Sequence, residues 1–231
     1  MKPSVGMKPS IVWMSILLVT VILLLDQALK IWVKTNMSLG EDISLIGTWA
    51  RIHFVENPGM AFGWMFGGKA GKLFLSVFRI IAIAAIIWYL RMLVRDNAPK
   101  GFVLCISSVL AGAMGNMIDC AFYGWIFDTG TVYNTEIGEY MGYAGVSALS
   151  CGGYAPFLQG CVVDMLSFPI LHGVFPEWLP LVGNSSFLFF APVFNISDSA
   201  VTVGGLSIIV FYWKYLKQTG KKPQQPRIKA K

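Results

Sequence analysis

The sequence predicts a helical membrane protein with four transmembrane spans forming a single membrane domain over residues 1–231, and three observations predict it. Hydrophobic residues make up 55% of the chain and charged ones only 13%, where an ordinary soluble domain carries roughly 25% charged residues. Mean hydropathy is +0.63. Four apolar runs, near 11–33, 73–94, 102–119 and 198–216, reach the roughly 17–25 helical residues needed to cross the hydrocarbon core.

The first run follows Lys2 and Lys8 as an export leader would, but it is long and lacks a small-x-small cleavage site, so it is expected to stay as an anchor. The repeated MKPS at residues 1 and 7 allows a second start at Met7. The link between the second and third runs carries Arg91, Arg95 and Lys100, and the fourth run is followed by Lys214, Lys217, Lys221, Lys222, Arg227, Lys229 and Lys231. Lys and Arg crowd cytoplasmic loops. Residues 95–101 and 217–231 are therefore expected inside, with both termini cytoplasmic. Residues 34–72 and 120–197 are expected outside, and no Lys or Arg stands between Asp119 and Ser197. The formal charge of +6 thus reports topology; no basic stripe interleaved with aromatics marks a nucleic-acid surface.

In the first exported segment, 43–66 alternates short β-prone pieces (ISLIGTWARIHFV) with a turn. In the second, 121–160 is rich in Gly, Tyr and Thr and reads as an irregular excursion or a small hairpin. Residues 162–195 are apolar, Pro-rich and aromatic, so both segments should lie against the membrane surface. Trp64, Trp125, Phe168, Trp178 and Phe194 suit an interfacial aromatic belt. The polar tail 217–231 is expected to be disordered. Of four cysteines, Cys105 lies in a span and Cys120, Cys151 and Cys161 in the long loop, without metal-ligand spacing. Cys151 and Cys161 are the nearest pair for a disulfide, with free buried thiols as the alternative.

Four carboxylates sit at membrane depth: Asp26, Asp119, Asp164 and Asp198. An acid at mid-helix costs about 2.5–3.5 kcal/mol even on insertion scales, so such groups face a cavity or a partner. In CVVDMLSFPI, apolar neighbours should raise the proton affinity of Asp164. In FNISDSAVTVGG, the amino end of the last helix should favour the anion of Asp198. Two carboxyls poised in this opposed way form the acid/base pair of an aspartic protease. The competing reading makes Asp198 a helix cap and pairs Asp164 with a backbone donor. Asn57-Pro58-Gly59-Met60 fits a type II turn, and Ala113-Met114-Gly115-Asn116 fits a close helix-packing patch with an interhelical amide. His53 and His172 lie near aromatics with no nucleophile to activate.

In chain order, Asp26-Gln27 with Lys30, ENPGMAFGW at 56–64, GAMGNMID at 112–119, VVD at 162–164 and FNISD at 194–198 resemble the motif set of the bacterial lipoprotein signal peptidases (signal peptidase II). The resemblance implies a four-helix bundle with a small extracytoplasmic β-cradle, a short amphipathic periplasmic element and here an extended periplasmic loop. It implies a bacterial inner-membrane aspartyl endopeptidase, open toward the periplasm, that cuts prolipoproteins just before a diacylglyceryl-modified cysteine. Asp164 and Asp198 would be the catalytic pair. Asn57, Gly59, Asn116 and Asn195 would support the site, and Asp26 would hold its base. No metal or organic cofactor is implied; membrane lipids and the inhibitor globomycin are expected to bind, and one chain suffices. Two departures stand out: Cys120 occupies the place of the family's usual Arg, putting that residue's ion pair or lipid contact in doubt, and the link from Asp119 to Asp164 is much longer than usual and could cover the cleft. The rival readings are a small transporter or proton-relay subunit using Asp26, Asp164 and Asp198, and a non-enzymatic scaffold.

Overall fold

The computed structural model describes residues 9–47, 49–59, 68–169, 171–174, 176–178, 185–189 and 192–219. In chain order the elements are α1 (Pro9–Asn36), β1 (Asp42–Ile46), β2 (Ala50–Asn57), α2 (Gly68–Arg95), α3 (Lys100–Ile118), a π-helical turn (Asp119–Tyr123), α4 (Gly124–Ile126), β3 (Val132–Asn134), β4 (Glu139–Met141), β5 (Val162–Ser167), β6 (Leu171–Val174), β7 (Ser186–Phe189), β8 (Val193–Phe194) and α5 (Ile196–Thr219).

Among the described residues four helical stretches are long and apolar enough to cross a membrane: Ser10–Asn36, Ala70–Arg95, Lys100–Ile126 and Ile196–Lys217. They enclose the expected runs but extend beyond them. The third does not stop at Asp119; it continues through the π-turn to Ile126, and π-turns collect at functional sites. The fourth opens at Ile196, two residues before Asp198, and α5 stays helical to Thr219 rather than ending at 216. Residues 1–8, with most of the MKPS repeat, Trp64 and residues 220–231 lie outside the described residues. The outward faces are apolar, as a lipid-facing surface requires: Trp13, Leu17, Phe74, Trp88, Val210 and Phe211 are all well exposed.

Small residues set how closely α3 meets α5. A Cβ on Gly112 would lie 2.2 Å from the Ser197 carbonyl oxygen, and one on Gly115 would lie 2.0 Å from Ser197 Oγ. Only glycine admits that approach, so the GAMGN segment is a packing patch as well as an amide carrier.

Above the bundle, a four-stranded antiparallel sheet runs in the order β1-β2-β5-β8. Strand β2 alternates buried and half-buried residues, the mark of a sheet with one covered face. Central β5 is buried almost throughout. Register pairs Val55 with Asp164, Glu56 with Val163 and Asn57 with Val162. Paired residues share a face, so Asp164 and Asn57 lie on one side of the sheet and Glu56 on the other. Trp49, Phe168 and Phe194 form an aromatic row along it, at successive ring separations of 5.9 and 5.8 Å.

The long excursion carries a hairpin, β3-β4, and returns against the sheet. Its dock is fully buried Lys34, which pairs with Glu56, donates to the Thr129 carbonyl at 3.0 Å and sits about 5 Å from the ring centres of Phe127, Tyr143 and Tyr154. Glu56 in turn accepts the Thr131 N–H at 2.6 Å. The cysteines are free: Cys151 is exposed, whereas Cys161 is buried with Lys72 Nζ 3.3 Å from its sulfur. Burial pushes the Cys161 thiol up to about 11, so it stays a neutral thiol at physiological pH.

Candidate active site

A polar cluster forms where α1, α3, β5 and the start of α5 meet. Its centre is Asn195, fully buried in the turn before α5. The Asn195 side chain accepts the Asp198 N–H at 2.8 Å, and its own N–H donates to Asp198 Oδ2 at 3.3 Å. This reciprocal cap satisfies two donors that a helix start leaves free. With Asn195 Oδ1 so engaged, its Nδ2 turns outward and donates to Asp164 Oδ1 at 2.6 Å and to Asn116 Oδ1 at 3.1 Å. Asn116 Nδ2 completes the ring by donating to Asp198 Oδ1 at 2.8 Å.

Asp164 and Asp198, 34 residues apart in the chain, are thus joined through one asparagine, with a second bonded to Asp198. Asp198 completes the helix cap and also belongs to the cluster. Among the described residues, Asp164 accepts from the Asn195 side chain and from no backbone donor.

Beneath this ring lies a buried charge cluster. Lys30 Nζ is 2.8 Å from Asp26, 2.7 Å from Asp119 and 3.0 Å from Asn116 Oδ1, with Lys30, Asp26 and Asp119 fully buried. An ammonium has only donors, so Lys30 draws the Asn116 oxygen toward itself and points the amide nitrogen at Asp198. Asp26 accepts the Ser197 N–H at 2.8 Å, placing its negative charge at the positive end of α5. Asp119 accepts from Gln27 at 2.8 Å and from the Val163 N–H at 3.3 Å, fixing the strand one residue before Asp164.

Asp164 is only 5% exposed, and its carboxyl is raised to about 7. Burial is the largest cause and the Asp198 charge adds to it, against the lowering effects of Lys30 and the Asn195 hydrogen bond. It lines a cavity of about 520 Å³ whose wall includes Phe54, Asn57, Thr131, Tyr140 and Gly142. The Asn57 side chain accepts the Gly59 N–H at 2.9 Å. Gly59, at φ +105°, takes the left-handed backbone that a type II turn demands at that position. Met60 lies outside the described residues. His53 faces Asp42 on the sheet edge, away from both acids, and the side chain of His172 is not among those described.

The candidate list drawn from sequence omitted Lys30, Asp119 and Gln27, although Asp26, Lys30 and Lys34 recur every four residues on an otherwise apolar helix. At Cys120, in place of the missing arginine, Arg79 of α2 brings its guanidinium within 3.1 Å of the sulfur.

Residues 18–214 match the family described as signal peptidase (SPase) II. A lipoprotein signal peptidase of Porphyromonas gingivalis is 45% identical over 196 residues, covering 84% of this chain and 80% of its own length. One from Amoebophilus asiaticus is 35% identical over 189 residues, covering 80% and 71%. A solved bacterial membrane enzyme structure, 25% identical, covers 87% of this chain and 93% of its own with a TM-score of 0.53.

Proposed function

Because this chain belongs to the signal peptidase II family, we propose that it is a membrane aspartyl endopeptidase that removes signal peptides from prolipoproteins, cutting before the diacylglyceryl-modified cysteine. The observation that carries the aspartyl assignment is the convergence of Asp164 and Asp198 on Asn195, with one acid in the wall of an open cavity.

In this reading the Asp198 carboxylate, fed by hydrogen bonds from Asn116 and Asn195, takes a proton from a water molecule as that water attacks the scissile carbonyl. Protonated Asp164 donates to the carbonyl oxygen, giving a neutral tetrahedral diol. Collapse breaks the C–N bond: Asp198 passes its proton to the departing cysteine amine, and the diol returns one to Asp164 as the new carboxyl forms. Each acid ends as it began, and water is consumed. Asn195 positions both acids, while Lys30, Asp26 and Asp119 position the amides and the helix that carry them. Asn57 lines the cavity, and Gly59 supports the turn that carries it.

The rival proton relay through Asp26, Asp164 and Asp198 is not favoured, because Asp26 is bound to Lys30 and Ser197 N–H below the ring. The basic ends of α2 and α5 support an inner-membrane protein with cytoplasmic termini and the acids toward the periplasm. Surrounding lipid would hold the acylated substrate beside the site. The test is incubation of the purified protein with a diacylglyceryl-modified prolipoprotein, with and without globomycin. Release of the signal peptide, blocked by globomycin, is expected; an intact substrate after prolonged incubation with folded protein would overturn the reading.

A further inference from the structure

Three features of the cavity beside Asp164 set its occupant. First, among the described residues none that lines it belongs to a span-length helix; they come from the loop after α1, from β2 and its turn, from the long excursion, and from β5 and β8. The cavity therefore leads from Asp164 away from the bundle. A membrane-anchored substrate reaches the acids from the bilayer with its signal peptide, so what continues past the cut, away from lipid, is the start of the mature chain.

Second, the excursion builds one wall. Thr131, Tyr140 and Gly142 line the cavity, held in place by the Lys34–Glu56 pair and by the Thr131 N–H bonded to Glu56. Third, that wall presents reachable surface: Tyr140 is half-buried and Gly142 exposed, one a flat amphipathic ring and the other open backbone. The remaining surface suits peptide. Phe54, Val55 and Pro58 are apolar, and Glu56 is already paired with Lys34, so the described walls offer no free cation. A volume of about 520 Å³ falls within the usual range of ligand clefts, about 300–1,000 Å³.

Resting on the proteolytic reading above, we propose that the inserted segment forms a subsite for the residues immediately after the lipidated cysteine. Tyr140 packs against the side chains that follow the cut, and Gly142 leaves room for the substrate backbone. The excursion is then a specificity element of the enzyme. It reads the mature end of the substrate, where the bilayer itself selects the signal-peptide end.

The test compares two diacylglyceryl lipopeptide substrates with the same signal sequence, one ending at the modified cysteine as an amide and one continuing for four uncharged residues. Wild-type enzyme should show a higher kcat/KM on the longer substrate by about tenfold, the discrimination that one or two buried methylene groups supply. Tyr140→Ala, which removes the packing ring, and Gly142→Leu, which fills the space, should each bring that ratio toward unity. Both substrates meet the same preparation, so partial unfolding of a variant cancels from the ratio. A wild-type enzyme indifferent to the extension, or variants that keep the wild-type ratio, would overturn the subsite alone. Failure of wild-type enzyme to cut either substrate would overturn the proteolytic reading, and this proposal with it.

Discussion

Asn195 donates its side-chain amide to Asp164 at 2.6 Å and its backbone N–H to Asp198 at 3.3 Å, so a single residue touches both acids and also starts the helix that carries one of them. The helix cap and the link between the two acids are therefore coupled at one position.

Replacing either acid by its amide keeps size and hydrogen-bonding reach but removes the proton exchange. Asp164→Asn and Asp198→Asn should each lower prolipoprotein processing by about 10²–10⁴-fold, the usual worth of acid/base participation, with near-wild-type thermal unfolding in detergent. Processing by either purified variant at a rate close to wild type would contradict the assignment.

The two duties of Asn195 can be separated. Asn195→Ala loses the cap, at about 1 kcal/mol, together with the amide on Asp164, so both melting temperature and activity should fall. Asn195→Asp remains a competent cap but places a third carboxyl against Asp164 and Asp198. It should keep most of the stability while activity is lost. Equal stability losses in the two variants would argue against the capping role.

The carboxyl of Asp164, raised to about 7 from the ordinary 3.8 of an aspartate, fixes two signs. The folded protein holds that proton more tightly than the unfolded chain, so its contribution to stability is full below about pH 4 and declines as pH rises toward 7. Catalysis by the protonated form should likewise fall as pH climbs through about 7. Initial rates of signal-peptide release across pH 5 to 9 would show the limb; a profile rising through neutrality would reverse the assignment of the acid.

Lys30 neutralises two fully buried carboxylates. Removing the cation alone, as in Lys30→Met, leaves both uncompensated, and breaking a buried pair in this way costs about 3–5 kcal/mol. Unfolding followed by heat or by denaturant in micelles should show a loss on that scale, and a variant as stable as wild type would refute the role.

Two glycines give a matched comparison. Gly115→Ala drives a Cβ to 2.0 Å from Ser197 Oγ and 2.8 Å from Asp26, whereas Gly205→Ala meets nothing within 4 Å. The first should displace the start of α5 and reduce activity strongly. The second should be neutral or stabilise by about 0.5–1 kcal/mol, as read from melting temperature and processing rate together.

The spans and the two acids were legible because each announces itself locally: long apolar runs by composition, Asp164 and Asp198 by being charged where charge is expensive. The hairpin of the excursion was legible as an alternative from its Gly, Tyr and Thr content. What sequence left dark was partnership across distance. Lys30 meets Asp119 from 89 positions away, and Lys34 meets Glu56 through a strand on another element; no local pattern names such partners. The fourfold spacing of Asp26, Lys30 and Lys34 on an apolar helix was the available sign that one face is interior. Arg79 beside Cys120 could not be foreseen at all, since the cation comes from a different helix than the motif it serves.

The sheet that carries Asp164 is stitched from segments made at different times. Strand β2 is complete by residue 57, but its neighbour β5 begins at Val162 and β8 at Val193, with two membrane-crossing helices between β2 and β5 in chain order. A nascent polypeptide therefore holds half a cradle, with Asp164 lacking Asp198 and the Asn195 that joins them, until β8 and α5 have been made. The polar ring forms only when that helix is in place, so it reports the assembly of the whole bundle.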